Sequence, residues 1–450
     1  MVARKDTWGV RPLLLDALYV GGLAVAIPYL CLRGRSTQLW EHIRRRSRGV
    51  PRREGKRPCL WIHGVSVGEV FSTRRLVERL AAEFPAWEPV ISTTTRAGLE
   101  AARKAFPQLQ VFSYPFDLSP LVRKAFDRIN PQLIVIAEHE LWPNFLDLAG
   151  VRGVPVVLIN GRLSERSQRG YRMLSWFISW PPPSIVRVCA EDETSADGFR
   201  RLGVDADRIR VTGNLKFDNV ERLNGARRSI PREGDWVLVG ASTHPGEEEA
   251  LLDSFEALHR SDPRIRMVLA PRRVERVREL EKLVRRRGLR SYLWSEHGAR
   301  NGNGLGVAAA DEGGRSPGDV YLVDTVGELS RISATANAVF VGGSLVPFGG
   351  HNVIEPASHG CPVIIGPHYQ NFRQVVSAFV EHDAVLIAGD RDDLTQKLRD
   401  LKANAEFAEG MGQRAIETIA HHTGATERTL EVLRPLLHEV AAREIVSVEG

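Results

Sequence analysis

Short apolar runs alternate with segments of helical periodicity from residue 58 onward. A first series of runs, rich in Val and Ile, predicts buried strands at 59–65, 89–95, 109–115, 133–138, 154–161 and 186–192. Helical periodicity at 69–83 and 96–106 separates the first three of these strands. Strands of this composition that alternate with helices indicate a parallel sheet with crossover helices.

A second series follows a polar stretch at 219–234 and predicts strands at 236–242, 265–271, 320–325, 338–344 and 362–367. Two such series in tandem predict an α/β fold with two Rossmann-like domains that face a cleft. Ligands in sheets of this kind lie beyond the carboxyl ends of the strands. The predicted boundaries are 1–50 for a membrane anchor and basic linker, 51–225 for the first domain, and 226–450 for the second. Amphipathic helices at about 392–441 are expected to pack back across both domains.

Two segments are expected to interrupt the regular elements. Three prolines at 181–183 end a helix that contains tryptophan, because proline removes a helical hydrogen bond and clashes with the preceding turn. Residues 298–318 are rich in Gly and Ala and have no periodicity, which predicts a surface loop.

The amino terminus carries a long apolar run, LLLDALYVGGLAVAIPYLCL at 13–32. About 20 such residues in a helix span roughly 30 Å, the thickness of a bilayer's hydrocarbon core. Arginines follow at once, so the positive-inside bias predicts a single anchor in the inner (cytoplasmic) membrane with both predicted domains on the cytoplasmic side. The alternative is an amphipathic or core-buried helix, which Asp16, Gly21, Gly22 and Pro28 would allow.

The charge of the chain favours a membrane surface over nucleic acid as a partner. Lys and Arg number 61 against 55 Asp and Glu, and eight of the basic residues fall between positions 44 and 57. No cluster of aromatic residues of the kind that stacks on bases accompanies them. The four cysteines, Cys31, Cys59, Cys189 and Cys361, lack the spacing of a zinc site or a disulfide framework.

The first domain offers a candidate base where its first strand ends. A glycine-containing turn leads to Glu69 near the start of a helix, where a carboxylate could accept a proton from an attacking hydroxyl. The alternative is a glutamate that caps the helix, and the spacing alone favours this reading. Another strand is followed by a Glu-His-Glu step, Glu138, His139 and Glu140. These side chains are costly to bury, so they are either solvated or functional. The evidence that they bind a metal is weak.

The second domain offers a candidate phosphate site. Residues 240–247 join a strand to a helix with neither a GxGxxG pattern nor a P-loop. Arg272 ends the next strand, where a guanidinium could meet a base or a phosphate. Four glycines around Ser344 precede a helix and predict a nest of N–H groups for a phosphate, and Glu355 could accept two ribose hydroxyls. For each segment alone, a purely structural glycine-rich turn remains open.

The motifs together resemble those of the 3-deoxy-D-manno-octulosonic acid (Kdo) transferases. The resemblance extends in order over about residues 58–375. It is carried by WIHGVSVGE (61–69), EHELWPN (138–144), TGNLKFD (212–218), ASTHPGEE (241–248) and, most specifically, GGSLVPFGGHNVIEPA (342–357).

The resemblance implies a two-domain fold of the GT-B type, CMP-Kdo as donor and a lipid A precursor (lipid IVA) as acceptor in lipopolysaccharide biosynthesis. It implies inverting transfer with Glu69 as the general base, and no metal or other cofactor. The implied CMP contacts are Pro271, Arg272, Val326, Gly327, Glu328, Asn352, Val353, Ile354 and Glu355. The leaving phosphate would enter the nest predicted at Gly343 and Ser344.

Two departures from the family pattern and several rival functions accompany this interpretation. The usual PRH reads Pro271-Arg272-Arg273 here, and the loop at 298–318 is longer than usual. One rival is a UDP-sugar transferase or a nucleotide-sugar epimerase of the same architecture, and another is a non-catalytic nucleotide-sensing or lipid-binding scaffold. Nucleic-acid binding is disfavoured, because the basic residues flank an apolar run.

Overall fold

The computed structural model describes residues 12–22, 36–47, 49–138, 141–163, 168, 170, 181–219, 236–297 and 319–449. The chain divides into two compact units, Met1–Asn219 with His422–Gly450, and Val220–His421. The boundary predicted near residue 225, the predicted loop at 298–318 and the tryptophan-containing stretch up to residue 180 lie outside the described residues.

The first unit contains a seven-stranded parallel sheet in the order β3-β2-β1-β4-β5-β6-β7. Its strands are β1 (Cys59–His63), β2 (Glu88–Thr93), β3 (Gln110–Ser113), β4 (Leu133–Ala137), β5 (Val156–Gly161), β6 (Ile185–Ala190) and β7 (Ile209–Val211). Its helices include α1 (Ser36–Ser47), α2 (Val67–Glu83), α3 (Arg96–Ala105), α4 (Ser119–Ile129), α5 (Pro143–Val151) and α6 (Glu193–Arg201), with 3₁₀ turns at Ala206–Arg208 and Leu215–Asn219.

The second unit contains another seven-stranded parallel sheet, in the order β10-β11-β9-β8-β12-β13-β14. Its strands are β8 (Trp236–Thr243), β9 (Ile265–Pro271), β10 (Arg290–Leu293), β11 (Asp319–Leu322), β12 (Ala338–Val341), β13 (Val363–Ile365) and β14 (Leu386–Ile387). Its helices include α7 (Glu247–His259), α8 (Val277–Arg286), α9 (Trp294–His297), α10 (Leu329–Ser333), α11 (Ile354–Ser358), α12 (Arg373–Glu381), α13 (Arg391–Ala403) and α14 (Ala405–His422), with 3₁₀ turns at Val274–Arg276 and Gln370–Phe372.

Both faces of the first sheet are buried, which explains why its strands are apolar throughout. Successive side chains of a strand point to opposite faces. Accordingly Trp61 packs in one core with Phe112 and Tyr114, whereas its neighbours Leu60 and Ile62 pack in the core on the other face. A sheet covered on both faces has no reason to alternate apolar and polar residues, so the continuous apolar runs correctly predicted parallel strands.

The last helix, α15 (Ala425–Glu449), belongs to the first unit. Leu430, Leu433 and Leu437 of α15 are buried in the same core as Leu76 of α2. Asp218 caps the start of α15, because its carboxylate accepts the N–H groups of Gly424 and Thr426. The end of the chain therefore completes the first core.

Residues 12–22 are helical and are bonded to the first unit. Asp16 accepts the N–H of Ser119 at 2.9 Å, and the hydroxyl of Tyr19 donates to Asp117 at 3.1 Å. Among the helices in the described ranges, none has both the length and the apolar character needed to cross a bilayer. Residues 23–35, and with them the second half of the predicted anchor at 13–32, lie outside those ranges.

Candidate active site

Glu69 lies at the centre of the first sheet's carboxyl edge. Strand order reverses between the neighbours β1 and β4, since β2 and β3 extend to one side of β1 whereas β5 to β7 extend beyond β4. Ligands of open parallel sheets bind at such a switch point. The turn after β1 leads directly to Glu69 in the first turn of α2, and Glu138 follows β4. Two of the predicted segments therefore flank the switch point.

The carboxylate of Glu69 closes a variant of the capping box at the start of α2, in which it accepts the N–H of the residue before the N-cap. Ser66 is the N-cap, and its Oγ accepts the N–H of Glu69 at 3.4 Å. In return the Oε2 of Glu69 accepts the N–H of Val65 at 2.7 Å, and the Oε1 accepts the hydroxyl of Ser66 at 3.0 Å. The helix-capping alternative thus describes a real contact. It is compatible with the role of a base, because a carboxylate has about four acceptor positions and these contacts fix its orientation.

A polar cluster surrounds Glu138 at the same edge. Glu138 has a positive φ of 61°, a conformation that costs energy for a residue with a side chain. Its Oε1 is 3.1 Å from the Nζ of Lys216, and both side chains are largely buried. His139 and Glu140, the other two residues of the predicted step, lie outside the described residues.

Glu191 extends this cluster at the end of β6. The amide of Asn214 donates to its carboxylate, and burial raises the pKa of Glu191 to about 8. The sequence pattern does not single out Glu191 or Lys216. The signal was present, since Glu191 directly follows an apolar strand and Lys216 lies within the TGNLKFD motif.

In the second unit, the predicted nest forms, but a carboxylate of the protein occupies it. Glu247, fully buried at the start of α7, accepts the N–H groups of Gly343, Ser344 and Leu345 at 2.7 to 2.9 Å. It also accepts the N–H of His244 at 3.0 Å. These N–H groups can therefore bind a phosphate only if Glu247 is displaced.

The hydroxyl of Ser344 is also committed to the fold. It donates to the carbonyl of Val341 at 2.5 Å and accepts the N–H of Gly366 at 2.8 Å. Since Val341 ends β12 and Gly366 follows β13, Ser344 ties the ends of these two strands together. These two bonds give the side chain of Ser344 a structural role. Its contact with CMP stays a prediction.

The remaining predicted CMP residues follow strands of the same sheet edge. Arg272 follows β9 and is exposed, and its N–H donates to the carbonyl of Thr243 at 3.0 Å. Val326, Gly327 and Glu328 follow β11, with Val326 78% exposed. Pro271 is the buried last residue of β9. The strand order places β11, β9, β8 and β12 side by side, so these residues share one edge.

In the NxxE segment at 352–355, two of the four side chains are accessible to a ligand. Val353 and Ile354 are buried in the core, whereas Asn352 is exposed and Glu355 is half-buried. The Oδ1 of Asn352 accepts the N–H of Ile354 at 3.0 Å. A nucleotide at this edge would therefore meet the side chains of Asn352 and Glu355, and only the backbone of the two residues between them.

A pair of histidines lies beside Gly343 and was not predicted. The Nε2 atoms of His244 and His351 are 2.9 Å apart, and Phe348 stacks on the ring of His244 with 4.1 Å between ring centroids. Gly343 has a positive φ of 68°, and a Cβ there would come within 3.0 Å of the His351 ring. The signal in the sequence was the presence of a histidine in each of two motifs, ASTHPGEE and GGHN.

Comparison with known proteins decides the family. A family model for 3-deoxy-D-manno-octulosonic-acid transferase (kdotransferase) matches residues 41–219. A 3-deoxy-D-manno-octulosonic acid transferase of Haemophilus influenzae is 31% identical to this chain, over 84% of the chain and 87% of its own length. That of Bordetella pertussis is 31% identical over 91% of the chain and 98% of its own length. The chain belongs to the Kdo transferase family.

The motifs thus correctly identified a Kdo transferase, and solved structures agree on the fold. The UDP-GlcNAc 2-epimerase of Neisseria meningitidis superposes with a TM-score of 0.55 at 14% identity, over 84% of this chain and all of its own. A glycosyltransferase from Rickettsia africae has a TM-score of 0.53 at 11% identity, over 85% of the chain and 99% of its own. At such identities the likeness extends to architecture alone, so the rival epimerase activity gains no support from it.

Proposed function

We propose that this chain is an inverting glycosyltransferase that moves Kdo from CMP-Kdo to a lipid A precursor, lipid IVA, in lipopolysaccharide biosynthesis. Membership of the Kdo transferase family supports the donor and the acceptor. The observation that carries the mechanism is the place of Glu69, a buried carboxylate held by the capping box at the switch point of the first sheet.

Glu69 serves as the general base. As the acceptor hydroxyl attacks the anomeric carbon of Kdo, its proton passes to the carboxylate of Glu69. The bond between that carbon and the phosphate oxygen breaks, and the electron pair leaves with CMP. A positioned carboxylate of this kind contributes roughly two to four orders of magnitude to a rate.

CMP binds at the carboxyl edge of the second sheet. Arg272, Asn352 and Glu355 present exposed or half-exposed polar groups there, and their chemistry suits a phosphate, a base and a ribose. Val326 and Gly327 offer an exposed turn after β11 against which a base can lie. Lys216 and Glu138 form an ion pair at the same carboxyl edge of the first sheet, where Glu138 follows the strand next to the one that leads to Glu69.

The enzyme acts at the inner membrane from the cytoplasmic side. The helical residues 12–22 support this, because four large apolar side chains on them are exposed: Leu13, Leu14, Leu18 and Val20. The next described helix, α1, adds the exposed guanidinium of Arg44, which is suited to anionic lipid, whereas Arg46 is buried and donates to the carbonyls of Tyr114 and Pro115. Carbonate washing of membranes that contain the full chain tests the anchor: retention is expected, and release of the intact chain would contradict a spanning segment.

A turnover assay tests the proposed activity. The purified chain is incubated with CMP-Kdo and lipid IVA, and products are analysed by mass, with CMP and UMP compared as competitive inhibitors. We expect lipid products heavier by whole Kdo units and inhibition by CMP. Inhibition by UMP instead, or no transfer from CMP-Kdo by folded protein, would reject the proposal in favour of a UDP-sugar enzyme or a non-catalytic scaffold.

A further inference from the structure

The His244–His351 pair lies at the switch point of the second sheet. Strand order reverses between β8 and β12, and His244 directly follows β8 whereas His351 lies in the loop after β12. These residues are 107 positions apart in the chain, and their Nε2 atoms are 2.9 Å apart. The pair therefore occupies the part of the sheet edge where α/β folds bind ligands.

The contact between the two rings restricts their protonation. A nitrogen-to-nitrogen distance of 2.9 Å requires a hydrogen atom between the nitrogens, so one ring donates and the other accepts. In the neutral pair, one outward Nδ1 carries a hydrogen atom and the other does not. One added proton makes both Nδ1 atoms donors and gives the pair a charge of +1. Within the described residues, neither Nδ1 has a hydrogen-bond partner.

The surroundings hold the pair in place. The two ring planes are inclined by only 10°, and Phe348 stacks on His244. The backbone at Gly343 passes so close to His351 that no side chain fits between them. The four N–H bonds to Glu247 fix both segments that carry the histidines. A site built on this pair needs little rearrangement to bind a ligand.

Charged groups face the pair from two elements. Arg272, Arg273 and Arg276, on the segment from β9 to α8, act on His244, and Glu247 on α7 opposes them. Burial, followed by Arg272 and the partner ring, lowers the pKa of His351 to about 4, and burial also lowers the pKa of His244. At neutral pH the free pair is therefore uncharged, in surroundings that favour an anion.

We propose that the His244–His351 pair binds the phosphate of CMP and takes up one proton as it does so. This inference rests on the proposed function, since it assigns the phosphate subsite of that donor. The histidine pair takes the place of the predicted nest at residues 343–345, because the N–H groups of that nest already donate to Glu247. The phosphate accepts a charge-assisted hydrogen bond from an outward Nδ1–H and interacts with the positive charge of the pair.

The same proton assists the transfer. When the bond between the anomeric carbon and the phosphate oxygen breaks, the electron pair stays on that oxygen and the phosphate gains one negative charge. The protonated pair keeps its proton and stabilises the new charge, and a fixed cation at such a position lowers the barrier. His244 and His351 are then residues that touch the substrate, one from each strand beside the switch point.

Linkage sets the direction of the pH dependence. The anion raises the pKa of the pair above its value in the free protein, so binding takes up a proton between the two values. The contribution of the pair to CMP affinity is fully present below the pKa of the free pair and is lost as the pH rises through the pKa of the complex. The secondary ionisation of CMP, at about pH 6, adds its own pH dependence, and this is common to wild type and variants.

Calorimetric titration of the full chain with CMP tests the inference. The number of protons taken up is obtained at each pH from buffers of different ionisation enthalpy, for wild type, His351→Gln, His244→Gln and His382→Gln. His382 is the matched control, an exposed histidine of the same unit whose Nδ1 contacts the carbonyl of Ala378. Cytidine, which lacks the phosphate, is titrated in parallel, and circular dichroism verifies folding.

At pH 6 to 7 we expect wild type and His382→Gln to bind more protons per CMP than either pair variant. The difference should approach one proton. Loss of the pair weakens CMP binding about 10- to 100-fold at pH 6 and less at pH 8.5, with no effect on cytidine. Equal proton uptake in wild type and His351→Gln overturns the inference and leaves the proposed function intact. The difference between wild type and either folded pair variant removes the ionisation of CMP itself, so one folded pair variant is enough to decide the outcome. Failure of folded wild type to bind CMP overturns the proposed function as well.

Discussion

The carboxylate of Glu69 both caps α2 and is the candidate base, and two substitutions separate these roles. Glu69→Gln keeps an oxygen that can accept the N–H of Val65, so the capping box stays largely intact, but an amide cannot take up the proton of the acceptor. We expect kcat to fall by about two orders of magnitude or more, with CMP affinity and stability retained. Steady-state kinetics with CMP-Kdo and lipid IVA, together with calorimetry, would measure this.

Glu69→Ala is the companion variant. It should lose the same activity and, in addition, about 1 kcal/mol of stability, because the hydrogen bonds of the carboxylate to Val65 and Ser66 are lost while Ser66 remains the N-cap. Near-normal turnover in Glu69→Gln would show that the capping contact is the only task of this residue, and another group would have to act as the base.

Glu191 makes the stability of the first unit depend on pH. Burial raises its pKa to about 8, well above the value of an unfolded glutamate. The folded state therefore binds the proton more tightly, and the associated stability, present below about pH 4.5, is lost as the pH rises toward 8. We expect urea midpoints to fall across this range in wild type. The decline should be smaller in Glu191→Gln, which keeps an acceptor for Asn214; an unchanged slope would contradict the prediction.

The elements that the sequence predicts best are those buried on both faces. Runs such as LIVIA at 133–137 are strands because every side chain in them is buried. The missed strands β7, β10 and β14 are all edge strands, and they are only two to four residues long. IRV and RSYL carry arginine and serine where the sheet meets solvent, so they lack the apolar run that marks a buried strand.

The site was only partly predictable, because its decisive contacts join distant segments. The glycine pattern at 342–350 predicts a nest for a phosphate, and in the structure the N–H groups of 343–345 donate to the carboxylate of Glu247, almost 100 residues earlier. The contact between His244 and His351 is similarly remote. Local patterns reveal which turns end strands. Which side chains meet above them depends on strand order, and the sequence does not state that order.

The helix α2, which carries Glu69, is held from outside by Asn219. The amide of Asn219 donates to the carbonyl of Ser72 at 2.6 Å and accepts the N–H of Arg75 at 3.1 Å. We expect Asn219→Ala to destabilise the first unit by about 1–3 kcal/mol, because it leaves helix backbone groups without these partners. Asn219→Asp, which keeps the acceptor only, should lie between. Arg74→Ala, on the exposed face of α2, is the control; equal urea midpoints for all four proteins would contradict this role.

At the scale of the whole chain, the first unit is made of two distant stretches of sequence. Its core contains Leu76 and Leu80 from α2 together with Leu433 and Leu437 from α15. On the surface, Arg434 of α15 is bonded to Glu83 at 2.5 Å. Residues up to 219 therefore lack part of their own core until the end of the chain is added.

Leu433→Ala combined with Leu437→Ala tests this dependence. Each truncation of a buried leucine costs about 2–5 kcal/mol, so together they remove most of the 5–15 kcal/mol that stabilises a typical domain. Brief proteolysis in moderate urea, read by mass spectrometry, should degrade the first unit while a fragment within residues 236–421 persists. Arg443→Ala, an exposed change on the same helix, should behave like wild type. Equal protection of both units in the double variant would contradict the prediction. It would mean that α15 packs on the first unit without contributing to its stability, although its leucines are buried there.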